Sequence, residues 1–224
     1  MNSAFLFDID GTLLNVNRNF MRPMIEQLLK SLSIDPSIVN TIRYSGRTDS
    51  AIFRDLLGEY KNDQELYETL KQKYITALRQ ELVPEHVTVL EGAEESIDYL
   101  TEKRVSIGLL TGNFKESAYV KLKAAGLDQY FSFGAFGCIH SNRNYLPEEA
   151  EKVYVKQTGR KIEKKNYIII GDTPNDIECA RYFGATSVAV ATGDFQLPEL
   201  EKHEPDLILE SLSSPELWTS NLQL

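Results

Sequence analysis

Asp8 and Asp10 are the first residues of the chain whose types and spacing could support chemistry. They follow the apolar run Ala4–Phe7 and precede Gly11, which lets the chain turn. Residues two apart in a strand point to the same face, so both carboxylates can address one centre if strand geometry persists. Carboxylates in such a position can hold a hard cation, attack an electrophile or transfer a proton.

Two other interpretations stay open when this stretch is taken alone. Asp and Gly are frequent turn residues, so Asp-x-Asp-Gly-Thr can be an acidic turn that leaves a strand. A calcium loop would need further oxygen ligands at alternate positions and a Glu at the twelfth. Leu13, Asn15 and Asn19 do not supply that pattern. The remainder of the chain has to decide between these interpretations.

The composition indicates an ordinary globular protein. The chain has 224 residues, 42% of them hydrophobic and 25% charged, which suits one large domain or a domain carrying an insertion. A formal net charge of −9 disfavours nonspecific nucleic-acid binding, which depends on clustered Lys and Arg. No stretch approaches the ~18 apolar residues of a membrane span, and the N-terminus lacks a signal-peptide pattern. With only Cys138 and Cys179 present, we expect a cytoplasmic protein.

The segment that follows the first strand is predicted to be helical. Apolar residues recur there at helical spacing in three successive runs, and no convincing strand is predicted among them. Pro84 then stops the last of these helices, because proline disfavours helical geometry in the residue before it. We therefore expect a helical cap over residues 17–83, inserted into a core formed by residues 1–16 and 84–224.

From Glu91 onward, helical and strand-like patterns alternate. This alternation predicts an α/β fold with a Rossmann-like, doubly wound parallel sheet covered by helices on both faces. In such a sheet the carboxyl ends of the strands face the ligand crevice, so polar residues there are well positioned for chemistry. The predicted strands after the cap are residues 105–110, 131–136, 167–170, 187–190 and 207–209.

The strand predicted at residues 105–110 leads into Thr111, Gly112 and Asn113. They form a hydroxyl-bearing glycine turn in front of a predicted helix, and backbone N–H groups at a helix start bind phosphate well. Taken alone, Thr111 is also consistent with simple helix capping.

The strand predicted at residues 167–170 leads into a second pair of carboxylates, Asp172 and Asp176. Taken alone, they are consistent with a turn and a charge at a helix N-terminus. Together with Asp8, however, they would repel one another unless a cation joined them. Hard oxygen ligands of this kind suit Mg²⁺.

The motifs around Asp8, Thr111 and Asp172, taken in chain order, resemble those of the haloacid dehalogenase superfamily of phosphohydrolases. The resemblance covers nearly the whole chain, and the predicted insertion matches the family's small helical cap. Within that superfamily the chain looks similar to phosphoglycolate phosphatases. The motifs are Asp8-Ile9-Asp10-Gly11-Thr12-Leu13, Leu110-Thr111-Gly112-Asn113 and Gly171-Asp172-Thr173-Pro174-Asn175-Asp176-Ile177.

The resemblance implies covalent phosphoryl transfer. Asp8 would attack phosphorus and form an aspartyl phosphate. Asp10 would act as general acid toward the leaving alkoxide and then as base toward water. Mg²⁺ would be held by Asp8, the backbone carbonyl of Asp10 and Asp172, with Asp176 supporting the site.

The resemblance also implies groups that bind the phosphate. Thr111 and the amides of Gly112 and Asn113 would hold the phosphoryl oxygens. The family further uses a cation, most often a Lys in a Lys-Pro signature, and this chain departs from that signature. Arg143 occupies the matching stretch and is the candidate, although a solvated loop charge is an alternative.

Lys152 and Lys156, on the next predicted helix, are further candidates for this cation. In the predicted cap, Arg47 can contact a substrate carboxylate or a second phosphate, or it can be a solvated charge. Thr48 and Asp49 are interpreted as a helix cap and a first-turn charge.

The sequence thus predicts a Mg²⁺-dependent phosphatase that acts on a small phosphorylated metabolite, a phosphate monoester similar to phosphoglycolate. A phosphoryl mutase resembling β-phosphoglucomutase is the alternative, because it uses the same carboxylates. A noncatalytic binding module with the same fold is a third possibility. Haloacid dehalogenation is disfavoured because it needs neither a second carboxylate like Asp10 nor a metal. No nucleic-acid or membrane partner is expected.

Overall fold

The computed structural model describes residues 3–140 and 142–222, and most of its strands belong to one parallel sheet. Within these residues the main sheet has six strands. Together with a separate pair, the described residues form eight strands: β1 (Ala4–Phe7), β2 (Leu14–Val16), β3 (Val87–Val89), β4 (Ser106–Thr111), β5 (Gly134–Phe136), β6 (Tyr167–Gly171), β7 (Thr186–Val190) and β8 (Leu207–Leu209). The main sheet has the order β5-β4-β1-β6-β7-β8, while β2 and β3 form a separate antiparallel pair. The predicted α/β fold with a parallel sheet is confirmed.

The helices fall into two groups. Three follow one another without a strand of the main sheet between them, and the others alternate with its strands. The first group is α1 (Arg18–Ser31), α2 (Asp49–Leu56) and α3 (Gln64–Glu81). The second group is α4 (Ala93–Glu102), α5 (Lys115–Ala124), α6 (Leu146–Thr158), α7 (Pro174–Phe183), α8 (Leu197–Glu201) and α9 (Pro215–Ser220).

Strand β1 lies near the middle of the sheet, and this position organises the functional region. All four of its residues are apolar and buried, as expected for a strand covered on both faces. Phe7 pairs in register with Leu109 of β4 and with Ile170 of β6. The backbone N–H of Asp8 donates to the Ile170 carbonyl at 2.9 Å. Asp8 therefore leaves the sheet between the strands that lead to the other two motifs.

The consecutive helices α1, α2 and α3 have a hydrophobic cluster of their own. Leu29, Phe53 and Leu70 are among its buried residues. Phe114, just before α5, joins the same cluster, and its ring lies 5.0 Å from that of Phe53 in an edge-to-face arrangement. The division into cap and core at residues 17–83 stays a prediction.

Some elements differ from the predictions. The short strands β2 and β3 were not predicted, because three residues are too few to give a clear alternation. The strand predicted at residues 131–136 is formed only by Gly134–Phe136, since residues 128–130 form a 3-10 turn directly before this region. Within the described ranges, none of the helices has the length and apolar content needed to cross a membrane.

Candidate active site

Asp8, Asp172 and Asp176 form a compact group that we call the carboxylate cluster. One carboxylate oxygen from each lies within 4.8 Å of the others, and all three residues are buried. Asp8 follows β1, Asp172 follows β6, and Asp176 lies in the first turn of α7. Parallel neighbouring strands that end at the same edge of the sheet therefore bring together residues more than 160 positions apart.

Asp176 has two structural partners besides its place in the cluster. Its Oδ2 accepts hydrogen bonds from the backbone N–H of Thr173 at 3.1 Å and from the Thr173 hydroxyl at 2.6 Å. This is a capping box at the start of α7. Its Oδ1 accepts from Arg143 at 2.5 Å. The predicted helix-terminal charge is thus held rigidly beside the other two carboxylates.

Arg143 is buried and contacts the carboxylate cluster directly. Its guanidinium nitrogen lies 3.1 Å from Asp8 Oδ1 and donates to the Leu110 carbonyl at 3.1 Å as well as to Asp176. Burial lowers the pKa of Arg143, but Asp176 and Asp8 outweigh this and raise it, so the side chain stays charged. A solvated loop charge is therefore wrong for Arg143, whereas its phosphate-binding role stays a prediction.

The two lysines considered as alternatives to Arg143 lie elsewhere. Lys152 is exposed on α6 and pairs with Glu149 at 2.6 Å, and Lys156 is exposed further along the same helix. Neither side chain lines the cavity described below. The structure thus disfavours both as the phosphate-binding cation.

The cluster concentrates negative charge in a buried place. Burial is the main cause that raises the pKa of Asp8 to about 6, with Arg143 opposing and Asp176 and Asp10 adding to the shift. The pKa of Asp172 is raised well above its usual value, first by burial and then by repulsion from Asp176 and Asp8. One guanidinium therefore faces three carboxylates, and additional positive charge would relieve their repulsion.

A divalent cation fits this donor set. The three ligand groups are hard carboxylate oxygens, which Mg²⁺ prefers. Glycine backbone also lies close to Asp172. A Cβ atom at Gly11 would lie 2.3 Å from Asp172 Oδ2, and one at Gly193 would lie 1.7 Å from it. Side chains at these two positions would fill the space beside the cluster, so the glycines keep it open.

Asp10 points away from the cluster, into different surroundings. Its two carboxylate oxygens accept hydrogen bonds from Lys121 Nζ at 2.8 and 2.7 Å, and Oδ2 also accepts from Asn113 Nδ2 at 2.7 Å. Its side chain is 42% exposed, whereas that of Lys121 is 7% exposed. Metal binding through the backbone carbonyl of Asp10, as the resemblance implies, stays a prediction.

Lys121 is the residue of this site that the sequence interpretation missed. Its Nζ also donates to Asn113 Oδ1 at 2.6 Å, so this one ammonium group binds both Asp10 and Asn113. A signal was present in α5, because Lys121 falls on the buried helix face that carries Ser117, Ala118 and Leu122. A buried lysine on an apolar helix face needs an anionic or polar partner.

The loop of Thr111, Gly112 and Asn113 is tightly folded. The Thr111 hydroxyl accepts hydrogen bonds from the Asn113 backbone N–H at 3.3 Å and from its Nδ2 at 2.8 Å. It does not cap α5, whose N-cap residue is Phe114. A Cβ atom at Gly112 would lie 2.2 Å from the Arg47 carbonyl oxygen, so only glycine lets the two loops approach this closely.

The start of α2 is joined to the sheet-forming part by Asp49. Its backbone N–H donates to the Gly112 carbonyl at 2.7 Å. Its carboxylate accepts from the Phe114 backbone N–H at 2.8 Å and from the Ser117 hydroxyl at 3.2 Å. Burial raises the pKa of Asp49. Thr48 caps α2 as predicted, while Asp49 is more than a first-turn charge because it links α2 to α5.

Arg47 lies at the edge of the same region. Its guanidinium pairs with Asp55 at 2.7 Å and donates to the Arg43 carbonyl at 3.1 Å. The guanidinium is thus engaged within the helical segment, which excludes a purely solvated charge. Contact with a substrate stays a prediction.

A cavity of about 470 Å³ lies beside these groups. Every residue predicted for the site lines it except Asp176 and the two alternative lysines, and Lys121 lines it as well. On one side it reaches the carboxylate cluster and the loop at Thr111, and on the other it reaches helices α1, α2 and α3. The cavity can therefore hold a small molecule with one end at the cluster.

The sequence profile of the haloacid dehalogenase-like hydrolase family matches residues 5–190. The chain belongs to this family. The pyrophosphatase PpaX of Listeria welshimeri is 26% identical over 215 residues, covering 94% of this chain and 93% of that protein. The family and its relatives identify the chain as a hydrolase of the phosphatase class, as predicted.

Solved structures share the fold. A predicted phosphoglycolate phosphatase from Haemophilus somnus has a TM-score of 0.72 and 18% identity, with 98% of each chain covered. The β-phosphoglucomutase of Clostridium difficile has a TM-score of 0.70 and 20% identity, covering 99% of this chain and 97% of that one. Phosphatases and a mutase therefore both occur among chains with this fold.

Proposed function

We propose that this protein is a Mg²⁺-dependent phosphatase that hydrolyses a small phosphate monoester through an aspartyl phosphate on Asp8. The observation that carries the proposal is that two differently surrounded carboxylates, Asp8 and Asp10, line one cavity. The buried carboxylate cluster lies at one side, and Asp10 lies beside it in a polar network with Lys121 and Asn113. A nucleophile and a proton donor are thereby available to the same substrate.

The metal is assigned to the carboxylate cluster. Asp8 and Asp172 would hold it together with the backbone carbonyl of Asp10, and Asp176 would support the set from its capping box. When bound, Mg²⁺ supplies positive charge that reduces the repulsion between the carboxylates and an incoming phosphate. The raised pKa values of Asp8 and Asp172 support a site that favours such a charge.

The reaction follows from the two carboxylates. An Asp8 oxygen attacks phosphorus, and the bond from phosphorus to the ester oxygen breaks as the new bond forms. Asp10 gives its proton to the departing oxygen. In the second step Asp10 takes a proton from water while that water attacks the phosphorus, which releases inorganic phosphate and regenerates the Asp8 carboxylate.

The remaining groups hold the transferring phosphoryl group. The Thr111 hydroxyl accepts from Asn113, so its own hydrogen is free to be donated to a phosphoryl oxygen. The backbone amides of Gly112 and Asn113 lie in the same loop. Arg143, beside Asp8, would add a permanent positive charge next to the attacking oxygen.

The test is release of inorganic phosphate from p-nitrophenyl phosphate. We expect turnover with Mg²⁺, loss of turnover with a chelator and recovery when Mg²⁺ is restored in excess. Turnover that is insensitive to the chelator would contradict metal dependence. A complete absence of turnover under all conditions would favour the noncatalytic alternative.

The mutase alternative is favoured by the structural likeness to β-phosphoglucomutase. Phosphate release that needs no sugar bisphosphate activator would argue against it. Among phosphatase substrates, 2-phosphoglycolate stays a prediction from the sequence resemblance, and pyrophosphate is suggested by the names of the PpaX relatives.

The cytoplasmic location is likewise part of the proposal, supported by two cysteines that are both free.

A further inference from the structure

Besides the carboxylate cluster, an apolar surface lines the cavity. Its side chains come from all three helices of the first group and are buried or half-buried. We call this surface the apolar wall, and it consists of Met21, Ile25, Ile52, Phe53, Leu56 and Tyr74. A molecule held at the cluster therefore extends toward hydrocarbon and aromatic groups.

The charges around the cavity also disfavour a second anionic group on the substrate. Every cationic side chain among the described lining residues already contacts a carboxylate of the protein. The pairs are Lys121–Asp10, Arg143–Asp8, Arg18–Asp194 and Arg47–Asp55. A second anionic group on the substrate would have to share one of these cations with the carboxylate that it already contacts.

Asp49 makes a second anion still less favourable. It is an acidic residue that also lines the cavity, on the same helix as three residues of the apolar wall. A substrate carboxylate or phosphate near the wall would lose part of its hydration and share the cavity with this acidic side chain. Burying a charge without a partner is costly, whereas burying an apolar group is favourable.

We infer that the substrate is a phosphate monoester whose leaving group is uncharged and largely apolar, and that this group packs against the apolar wall. The inference rests on the proposed phosphatase function and specifies its substrate class. The cavity volume of about 470 Å³ lies in the usual range for small-molecule sites, so a leaving group larger than glycolate fits.

The first experiment compares esters on the native protein with saturating Mg²⁺. Isobutyl phosphate and 2-phosphoglycolate have nearly the same shape, but the first carries two methyl groups where the second carries carboxylate oxygens. We expect kcat/KM for isobutyl phosphate to be at least about tenfold higher. Along n-alkyl phosphates from ethyl to hexyl, kcat/KM should rise about two- to fourfold per methylene, the effect of burying a methylene partly or fully.

A second readout is binding. The affinity of n-alkylphosphonates, measured by calorimetry with Mg²⁺ present, should rise with chain length in the same proportion. If 2-phosphoglycolate matches or exceeds isobutyl phosphate and neither series depends on chain length, the inference is overturned while the phosphatase function stands. If no ester releases phosphate, p-nitrophenyl phosphate included, the proposed function fails and the inference fails with it.

Two variants localise the effect. Met21 and Leu28 lie two turns apart on α1, both partly buried against the same hydrophobic cluster, but only Met21 lines the cavity. Met21→Lys should shift the ratio of kcat/KM values at least about tenfold toward 2-phosphoglycolate, because it adds a cation to the wall. Leu28→Lys should leave the ratio unchanged within about twofold.

If the ratio of kcat/KM values for the two esters is the same in both variants, the leaving group does not contact the apolar wall and the inference is overturned. Circular dichroism would establish that each variant is folded. The ester and phosphonate series decide the inference on the native protein if either variant does not fold.

Discussion

Asp8 and Asp10 are only two residues apart, but their surroundings are opposite. The Asp8 side chain is 8% exposed and belongs to a crowded group of carboxylates, whereas the Asp10 side chain is 42% exposed and faces the cavity. Asp8 directly follows β1, whereas Asp10 directly precedes Gly11, whose positive φ turns the chain. Identical side chains thereby obtain different environments, which suit the proposed roles of Asp8 as nucleophile and Asp10 as proton-transfer group.

Asp8 and Asp10 are also accompanied by different cations, which have different effects on them. Arg143 is shared between Asp8 and Asp176, and its guanidinium cannot give up its proton at ordinary pH. Lys121 gives hydrogen bonds to both oxygens of Asp10 and to Asn113, so it holds one carboxylate in one orientation. The first cation offsets charge within a cluster, and the second fixes the position of a single group.

The largest effect is expected from Asp8→Asn. Because this variant lacks the oxygen that attacks phosphorus, kcat should fall at least about 10⁴-fold. Phosphate release would be measured with Mg²⁺, and circular dichroism would verify the fold. Near-native turnover would show that Asp8 is not the nucleophile and would remove the basis of the comparison.

Asp10→Asn should have the next largest effect. Loss of a general acid costs about 10²–10⁴-fold, and the loss should be greater for alkyl phosphates than for p-nitrophenyl phosphate. Nitrophenolate leaves readily without a proton, whereas an alkoxide does not. Equal losses for the two kinds of ester would mean that Asp10 does not protonate the leaving group.

Lys121→Met tests the cation that accompanies Asp10. Removing the ammonium leaves the Asp10 carboxylate and the Asn113 carbonyl oxygen without this donor, so we expect kcat/KM to fall about 10- to 100-fold. Lys123→Met is the matched control, since that lysine is exposed on the same helix. If both variants behaved alike, the contact with Lys121 would be irrelevant to turnover.

The smallest of these effects concerns Mg²⁺ affinity and pH. In the metal-free protein the pKa of Asp8 is raised to about 6, chiefly by burial, so below that pH a bound proton competes with the metal. The dissociation constant for Mg²⁺ should be at least about tenfold higher at pH 5 than at pH 7. Calorimetry at several pH values would measure it, and Asp8→Asn should weaken the dependence. A flat profile would contradict a metal site at the cluster.

The sequence was sufficient to predict the elements that set the positions of the candidate catalytic carboxylates. The apolar pattern predicted β1 and β6 closely, and the alternation with helices predicted a parallel sheet. Since parallel strands end at the same edge, Asp8 and Asp172 were expected near each other. The structure brings them together, and Asp176 joins them because it caps the helix that follows directly.

Features that depend on tertiary packing could not be predicted in this way. Lys121 is ten residues beyond β4, and its burial depends on how α5 lies against the rest of the chain. The partner of Arg47 is Asp55, on a helix whose orientation toward the preceding loop is not encoded in local spacing. Short strands such as β2 contain too few residues for any periodicity to be detected.

Helix α5 and the residue before it serve both hydrophobic regions. Phe114 packs in the cluster of the first three helices, whereas Leu122 packs in the main cluster beneath the sheet. Excision of helices α1, α2 and α3 would thus expose the Phe114 ring. It would also remove the Asp49 carboxylate, which accepts a hydrogen bond from the Phe114 backbone N–H. The consequence concerns folding cooperativity: the two regions are expected to melt in a single transition, so the chain behaves as one folding unit in calorimetry.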